Sequence, residues 1–190
     1  RPLNEFNLIP GAPLSYWVPK DLRRLYSSQK CIEAREGDER ISFAKVRQGL
    51  ATGKDDRFLH FFWENTGKSW VPFSKGGEDS WILPRVQKTL LWGEKAREIK
   101  AYSGGNGTPS KQHYFKPAIT YSTVKSKHGR RFGFLQEGSV FGHKGSVILP
   151  KENILGLLAY ANSIVGTYFM LGQTPDRMWE VGEVSKLPWY

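Results

Sequence analysis

Cysteine is the scarcest residue in this sequence, with Cys31 alone among 190 residues. A single cysteine excludes an internal disulfide and any zinc site that needs several cysteines. No apolar run approaches the roughly 18 residues that a membrane-spanning helix needs, and no signal-peptide pattern opens the chain. We therefore expect a protein of a reducing compartment, with no membrane partner.

Most catalytic and metal-binding motifs are missing as well. The four histidines lie far apart in the sequence and lack matching cysteine or carboxylate spacing, so we expect no metal site. There is no Gly-x-Ser-x-Gly elbow, no Walker loop and no dinucleotide-binding fingerprint. One loose pattern remains. Asp79 followed by Glu98-Ile99-Lys100 fits metal-dependent nucleases, in which two carboxylates and a lysine hold Mg²⁺ and position a water. A nuclease domain is therefore one alternative, although this pattern is common by chance.

Acidic residues are absent between Glu98 and Glu137. Aromatic residues are interleaved with the basic residues of that interval, which are Lys100, Lys111, Lys116, Lys125, Lys127, Arg130 and Arg131. The whole chain has a net charge of +10 and a pI of about 9.7. Residues 151–190 hold three basic and four acidic residues, a net of −1, so the first 150 residues carry the excess. This distribution favours a polyanionic partner, with nucleic acid first. A solvated surface that merely lacks acids is the alternative.

Glycine-framed turns with basic neighbours occur at Arg47-Gln48-Gly49-Leu50-Ala51-Thr52-Gly53 and at Lys75-Gly76-Gly77. Glycine lets the backbone turn tightly and leaves its N–H groups open to an anion. Arginine and glutamine beside such a turn can add hydrogen bonds to a phosphate or a base edge. An ordinary β-turn with solvated charges explains the same residues.

The hydrophobic pattern predicts an α+β fold. We expect a β-rich domain of short, mostly antiparallel strands, with a short N-terminal helix and a longer helix near the C-terminus. Helices are predicted at residues 21–26, 94–102 and 152–165. Strands are predicted at 41–46, 57–64, 70–73, 81–83, 89–92, 113–123, 131–135 and 147–149. Residues 1–190 are expected to form one domain, with an extended N-terminal segment and short helix in 1–40 and a helical closing segment in 150–190.

An ordered set of motifs resembles a known family. The set comprises the Arg47–Gly53 motif, an aromatic strand ending in Trp63-Glu64, then Trp70-Val71-Pro72-Phe73-Ser74-Lys75-Gly76-Gly77-Glu78, and Ile119-Thr120-Tyr121-Ser122. It resembles the target-recognition region of large bacterial adenine-specific DNA methyltransferases. The BREX phage-defence group (PglX-like) and fused restriction–modification enzymes with a TaqI-like C-terminal specificity domain are both similar. The likeness extends from about Phe6 to Pro188.

The resemblance implies a sequence-specific double-stranded DNA recognition module that is excised from a longer methyltransferase. The family's glycine-rich S-adenosylmethionine loop and its Asn/Asp-Pro-Pro-Tyr motif, which holds the flipped adenine, are missing from this sequence. We therefore expect no catalysis and no cofactor in this chain, and S-adenosyl-L-methionine in the parent. The implied partners are double-stranded DNA and the remainder of the methyltransferase chain. An acidic DNA-mimic inhibitor is a further candidate partner for the basic face. The implied location is the cytoplasm of a bacterium or archaeon.

Site residues follow from the chemistry of the matched segments. Contacts to the DNA backbone are expected from Arg47, Gly49, Thr52, Gly53, Lys54, Arg57, Lys75, Gly76 and Gly77. Contacts to base edges are expected from Gln48, Ser122, Thr123, Lys125, Arg130 and Arg131, because Arg or Lys pairs with guanine and Gln with adenine. Four tryptophans are expected to pack in the core or on a sheet face, namely Trp63, Trp70, Trp81 and Trp92. A Trp-rich β domain that binds a glycan or a protein is the remaining alternative.

Overall fold

The computed structural model of the chain describes residues 3–34, 42–64, 67–76, 82–103, 107–124, 132–174 and 178–189. Two compact units make up the chain. The terminal unit comprises Arg1–Val46 and Leu149–Tyr190, and the central unit comprises Arg47–Ile148. The predicted N-terminal and C-terminal segments thus belong mainly to the same unit.

Short strands and helices alternate along the chain. In chain order they are α1 (Lys20–Ser28), β1 (Lys30–Cys31), β2 (Ala44–Arg47), α2 (Asp55–Phe58), β3 (Leu59–Phe61), β4 (Trp70–Ser74), β5 (Lys88–Leu91), α3 (Gly93–Tyr102), β6 (Ala118–Tyr121), β7 (Phe132–Leu135), β8 (Val140–Phe141), β9 (Val147–Pro150), α4 (Ile154–Asn162), α5 (Ile164–Gln173), α6 (Val181–Val184) and β10 (Pro188–Trp189). Short 3-10 helices lie at Leu3–Leu8 and Lys111–His113. The expected α+β class is confirmed.

In the terminal unit, the prediction of one continuous helix over 152–165 is wrong. Two helices, α4 and α5, meet there at 67°. Ser163 lies between them with extended backbone (φ −68°, ψ 161°), and its Oγ accepts a hydrogen bond from Gly166 N at 3.1 Å. A serine that caps the next helix interrupts the first one, because its own backbone cannot be helical. Among the described residues no single helix is long and apolar enough to cross a membrane, whereas the bent α4–α5 pair meets that test by length and composition only.

The buried residues of α1 are Arg23 and Tyr26. Leu22 and Leu25 on α1 are only half-buried, whereas Arg23 is 1% exposed. Arg23 Nε donates to Val18 O at 2.9 Å, and its guanidinium lies 5.1 Å from the centroid of the Phe6 ring. Hydrogen bonding and a cation–π contact offset the cost of burying this cation.

The first sheet of the central unit has the order β3-β5-β4-β8. β3 pairs with β5 and β5 with β4 in antiparallel registers, while β4 and β8 are parallel. Of the strand predicted over 57–64, α2 takes the first residues, and the remaining strand, β3, lies at the sheet edge. Pro72 lies on β4, between β5 and β8. β8 pairs only with Phe73 and Ser74, so the missing N–H of Pro72 interrupts no described pairing with β8.

The second sheet of the central unit is built around β6. β6 pairs antiparallel with β7, from Ala118↔Leu135 to Tyr121↔Phe132. On its other side Ile119 and Thr120 pair with Ile148 and Val147 of β9. All four β6 residues are buried. The hydroxyl residues Ser122 and Thr123 therefore leave this sheet from a rigid, fully packed strand.

Candidate nucleic-acid interface

Three backbone segments of the central unit surround a cleft of about 540 Å³. Leu50 joins two of them, because its N–H donates to Phe141 O at 3.0 Å and its carbonyl accepts from His143 N at 2.8 Å. Gly142 N donates to Ser74 O at 2.8 Å and adds the third segment. The lining residues are Leu50, Ala51, Thr52, Gly53, Lys54, Asp55, Asp56, Phe73, Lys75, Gly142, His143 and Lys144. The cleft therefore contains four of the predicted DNA-contacting residues, Thr52, Gly53, Lys54 and Lys75.

Two of the predicted glycines face protein instead of open solvent. A Cβ on Gly49 would lie 2.0 Å from Phe141 O. A Cβ on Gly76, whose φ is +78°, would lie 2.2 Å from the Cα of Gly145. At both sites glycine is needed because one stretch of backbone packs directly on another. Gly49 and Gly76 thus let two stretches of backbone approach each other, and their contact with the DNA backbone stays a prediction.

Gly53 is the exposed glycine among the described glycines that were predicted to contact DNA. Its φ is +72°, and a Cβ there would lie 3.2 Å from the Tyr102 ring. It directly precedes Lys54 at the mouth of the cleft. Gly77, the last glycine of the set, lies outside the described residues.

Asp55 is a central acid of the cleft that the sequence analysis did not single out. Its carboxylate accepts from Lys75 Nζ at 2.6 Å and from Thr52 Oγ1 at 2.5 Å. Partial burial opposes ionisation of Asp55, but the hydrogen bonds from Lys75 and Thr52 and the charges of Lys75 and Lys88 outweigh it and lower its pKa. Thr52 is buried and its hydroxyl donates to Asp55, while its contact with DNA stays a prediction.

Two predicted phosphate-binding cations are paired with carboxylates. Lys75 pairs with Asp55, and Arg57 lies 3.3 Å from Glu98 and 5.2 Å from the Phe58 ring centroid. All four charged side chains are about half exposed. Exposed pairs contribute about 0–1 kcal/mol each, so a phosphate can compete for either cation.

Lys54 and Lys144 line the same cleft, and their side chains form no ion pair within the described part of the chain. Lys54 is among the residues predicted from the sequence, whereas Lys144 and its neighbour His143 are not. Their segment, Gly142-His143-Lys144-Gly145-Ser146, combines two glycines, a hydroxyl and basic residues, as the Arg47–Gly53 motif does. That shared composition was the available signal.

The described base-contacting candidates divide by their hydrogen bonds. Thr123 is 7% exposed, and both its N–H (3.1 Å) and its Oγ1 (3.5 Å) reach the carbonyl of Lys144. It therefore anchors the end of β6 to the cleft. Ser122 Oγ bonds to Val124 O at 3.0 Å and Val124 N at 3.2 Å in a local turn. Gln48 is exposed. Lys125, Arg130 and Arg131 lie outside the described residues.

Positive charge is concentrated on the unit that holds the cleft. The central unit has 17 lysines and arginines against eight aspartates and glutamates, a net of +9. The terminal unit has 11 against ten, a net of +1. The net charge of this unit produces a positive potential that attracts a polyanion, and salt screens this attraction beyond a Debye length.

The structure describes only part of the nuclease-like pattern. Glu98-Ile99-Lys100 lies within α3, and Glu98 pairs with Arg57, while Asp79 lies outside the described residues. The described residues contain no group of three or more His, Cys, Asp or Glu side chains that could hold a metal ion. Trp63 is 60% exposed and does not pack in the core, but its ring stacks on that of Phe61 in β3. Trp70 and Trp92 are half-buried, and Trp81 lies outside the described residues.

Comparison with known proteins gives a distant but nearly full-length similarity. No family model matches the chain. It is 24% identical over 209 residues, 96% of the chain, to "Adenine-specific methyltransferase PglX" of Lacticaseibacillus casei (strain Zhang). It is 24% identical over 200 residues, 97% of the chain, to "Adenine-specific methyltransferase BrxX" of Escherichia coli O9:H4 (strain HS). The chain spans only 16% of the length of each relative. It is thus similar, over almost all of its residues, to one part of these methyltransferases.

Proposed function

We propose that this chain is the double-stranded DNA recognition module of an adenine-N6 DNA methyltransferase that acts in bacterial phage defence or restriction–modification. The similarity to one part of two adenine-specific methyltransferases carries the proposal. Two features of the molecule support a DNA-binding role for that part. The central unit has a net charge of +9, and its cleft presents lysines that are free of carboxylate partners among the described residues.

In this proposal the cleft contacts phosphates. Lys54 and Lys144 provide two cations that need not leave another partner first. Lys75 and Arg57 exchange a carboxylate for a phosphate, which costs little because both pairs are solvent-exposed. Each neutralised phosphate releases condensed counterions, so affinity falls steeply as salt rises. These contacts fix the register of the protein on DNA without specifying sequence.

Base contacts in this proposal come from the segment that follows β6. Thr123 ties this segment to the carbonyl of Lys144, and Lys125, Arg130 and Arg131 come next in the sequence. Arginine and lysine donate to O6 and N7 of guanine in the major groove, and glutamine pairs with adenine. Gln48 and Ser122 complete the proposed set.

Methyl transfer is assigned to the remainder of the parent chain, which would bind S-adenosyl-L-methionine. The terminal unit suits contact with that remainder, because it is almost neutral and exposes large apolar side chains such as Leu14, Tyr16 and Ile164. An acidic DNA-mimic inhibitor would compete with DNA for the cations of the cleft. The whole would act in the cytoplasm, where the DNA is.

A salt titration of DNA binding tests the proposal. Fluorescence anisotropy with a labelled duplex should give an affinity that falls linearly with log salt concentration. Lys144→Ala should weaken binding to every duplex and reduce the slope by about one unit. The matched control is Lys186→Ala, an exposed lysine of the near-neutral terminal unit, which should leave the slope unchanged. A salt-independent affinity, or equal effects of the two substitutions, would contradict the proposal.

A further inference from the structure

An exposed group of aromatic rings lies at the edge of the first central sheet. Phe61 and Trp63 stack with ring centroids 4.5 Å apart and planes at 8°, and Phe62 meets Trp63 edge-on at 5.0 Å. Lys88 Nζ lies 4.4 Å from the centroid of Phe61. We call Lys88, Phe61 and Trp63 the aromatic column. Phe62 is 58% and Trp63 60% exposed, and adjacent exposed large aromatics are typical of a binding surface.

The column is held in a fixed position by the turn that follows β3. Phe61 N donates to Glu64 Oε2 at 2.6 Å, and Glu64 N donates to Phe61 O at 3.0 Å. Phe62 N donates to Gln87 O at 3.0 Å and ties the turn to the strand next to β3. A ring that is already ordered loses little conformational entropy when it binds a ligand.

The column also adjoins the cleft. Phe61 and Phe73 both pair with Lys88 across β5, and Phe73 lines the cleft. Partial burial raises the pKa of Asp55, but the hydrogen bonds from Lys75 and Thr52 lower it. The charge of Lys88 also lowers this pKa, so Lys88 and Asp55 are close in space. A polyanion held by the cleft cations would therefore run beside the aromatic column.

We propose that Trp63 stacks on an unstacked nucleobase of DNA held at the cleft. The inference rests on the proposed function and adds a contact that none of the predicted base-edge residues makes. An indole offers a large flat surface, every base has a π-face, and the lysine behind Phe61 keeps the column cationic. The net charge of +9 on this unit favours a nucleic acid over a glycan or a protein as the occupant.

A pair of duplexes tests the contact. One is fully paired and the other carries a single unpaired adenine, in which most of the cost of unstacking is already met. The unsubstituted chain should bind the second duplex roughly tenfold more tightly. Trp63→Ala should lose roughly 10- to 150-fold in affinity for that duplex, within the range for one base–aromatic stack, and should prefer neither duplex. The salt slope should stay the same, because no charge is removed.

Three further variants separate stacking from other effects. Trp63→Phe keeps a flat ring and should retain most of the preference, whereas Trp63→Leu keeps apolar area without a ring and should lose it. Trp17→Ala is the matched control, because Trp17 is also exposed (41%) and also meets a neighbouring ring, but lies in the terminal unit. Far-ultraviolet circular dichroism and the urea midpoint of each variant should show that the fold is retained.

Each other outcome decides against the inference. If Trp63→Ala binds both duplexes as the unsubstituted chain does, while Lys144→Ala still flattens the salt slope, stacking is refuted and the proposed function stands. Equal weakening for both duplexes refutes stacking on an unpaired base. Loss of binding to an oligosaccharide array or to the methyltransferase remainder, with DNA affinity unchanged, assigns the column to another partner. If no variant shows salt-dependent DNA binding, the proposed function fails together with the inference.

Discussion

Gly76→Ala should destabilise the central unit more than any ordinary turn glycine would. The added Cβ would lie 2.2 Å from the Cα of Gly145, 2.6 Å from its N and 2.7 Å from Lys144 O. All three are backbone atoms, so no side-chain rotation relieves the overlap. Overpacking of this kind costs about 1–3 kcal/mol. The φ of +78° adds about 1–2 kcal/mol for a residue with a Cβ.

The free energy of unfolding should therefore fall by about 2–5 kcal/mol in this variant, since the two costs act together. Two other glycines separate them. Gly138 has φ +89° and no neighbour within 4 Å of its added Cβ, so Gly138→Ala should lose only about 1–2 kcal/mol. Gly182 lies in α6 and also has no neighbour within 4 Å, so Gly182→Ala should be neutral or gain up to about 1 kcal/mol.

Urea unfolding followed by far-ultraviolet circular dichroism measures the change in unfolding free energy of all three variants. The comparison requires that the unfolding free energy depends on urea concentration with the same slope in each variant. Gly76 follows Lys75 and Gly145 follows Lys144, so the same contact fixes the spacing of two cleft lysines. Gly76→Ala should consequently weaken DNA binding under conditions where the variant is still folded. Equal losses of stability in Gly76→Ala and Gly138→Ala would refute the reasoning, because the close approach to Gly145 would then carry no cost.

Three further predictions concern titration and specificity. Because its folded pKa is lowered, Asp55 contributes stability above pH 3.8 that is lost as the pH falls below it; Asp55→Asn should lose about 0.2–1 kcal/mol at neutral pH, and urea unfolding at pH 7 and pH 3 should show the gap closing in acid. Burial raises the pKa of Tyr114 well above 10, so stability should fall as the pH rises above that value, and the ultraviolet titration of Tyr114→Phe should lack one late ionisation. On a randomised DNA library, Arg131→Ala should relax preference at one base pair at a cost of about 1–3 kcal/mol, whereas Lys75→Ala should weaken all sequences alike; identical profiles would refute this division of roles.

Helices and strands with a clear local pattern were predicted from the sequence. Five elements lie within or beside their predicted ranges, namely α3, β5, β6, β7 and β9. The spacing of their apolar residues matches the period of a helix or of a strand, and glycine or proline lies near their ends. The break at Ser163 was missed because apolar residues continue at helical spacing from Ile154 to Val165, on both sides of the serine. Val165 is nevertheless 47% exposed, since the capping serine redirects the chain. A serine before an apolar run was a usable signal.

The candidate site was only half accessible from sequence. The turn at Gly49–Gly53 was found because glycine and basic residues coincide there. The second half, around His143 and Lys144, joins it through backbone bonds to Leu50, which lies more than 90 residues earlier in the sequence. The ion pair between Lys75 and Asp55 likewise depends on how β4 meets α2. Such pairings arise from tertiary packing, and no window of sequence contains both partners.

The register of β6 and β7 sets limits on how such a molecule can diversify. Tyr121 pairs with Phe132, and Thr123 is bonded to Lys144, so residues 124–131 join two fixed points. Doubling the length of a connection of this kind costs only about 0.6 kcal/mol. New sequences can therefore be exchanged at this position while the cleft of the central unit keeps its shape. If the proposed function holds, relatives with different DNA targets should differ most in residues 124–131. They should differ least at Gly49 and Gly76, where backbone packs against backbone.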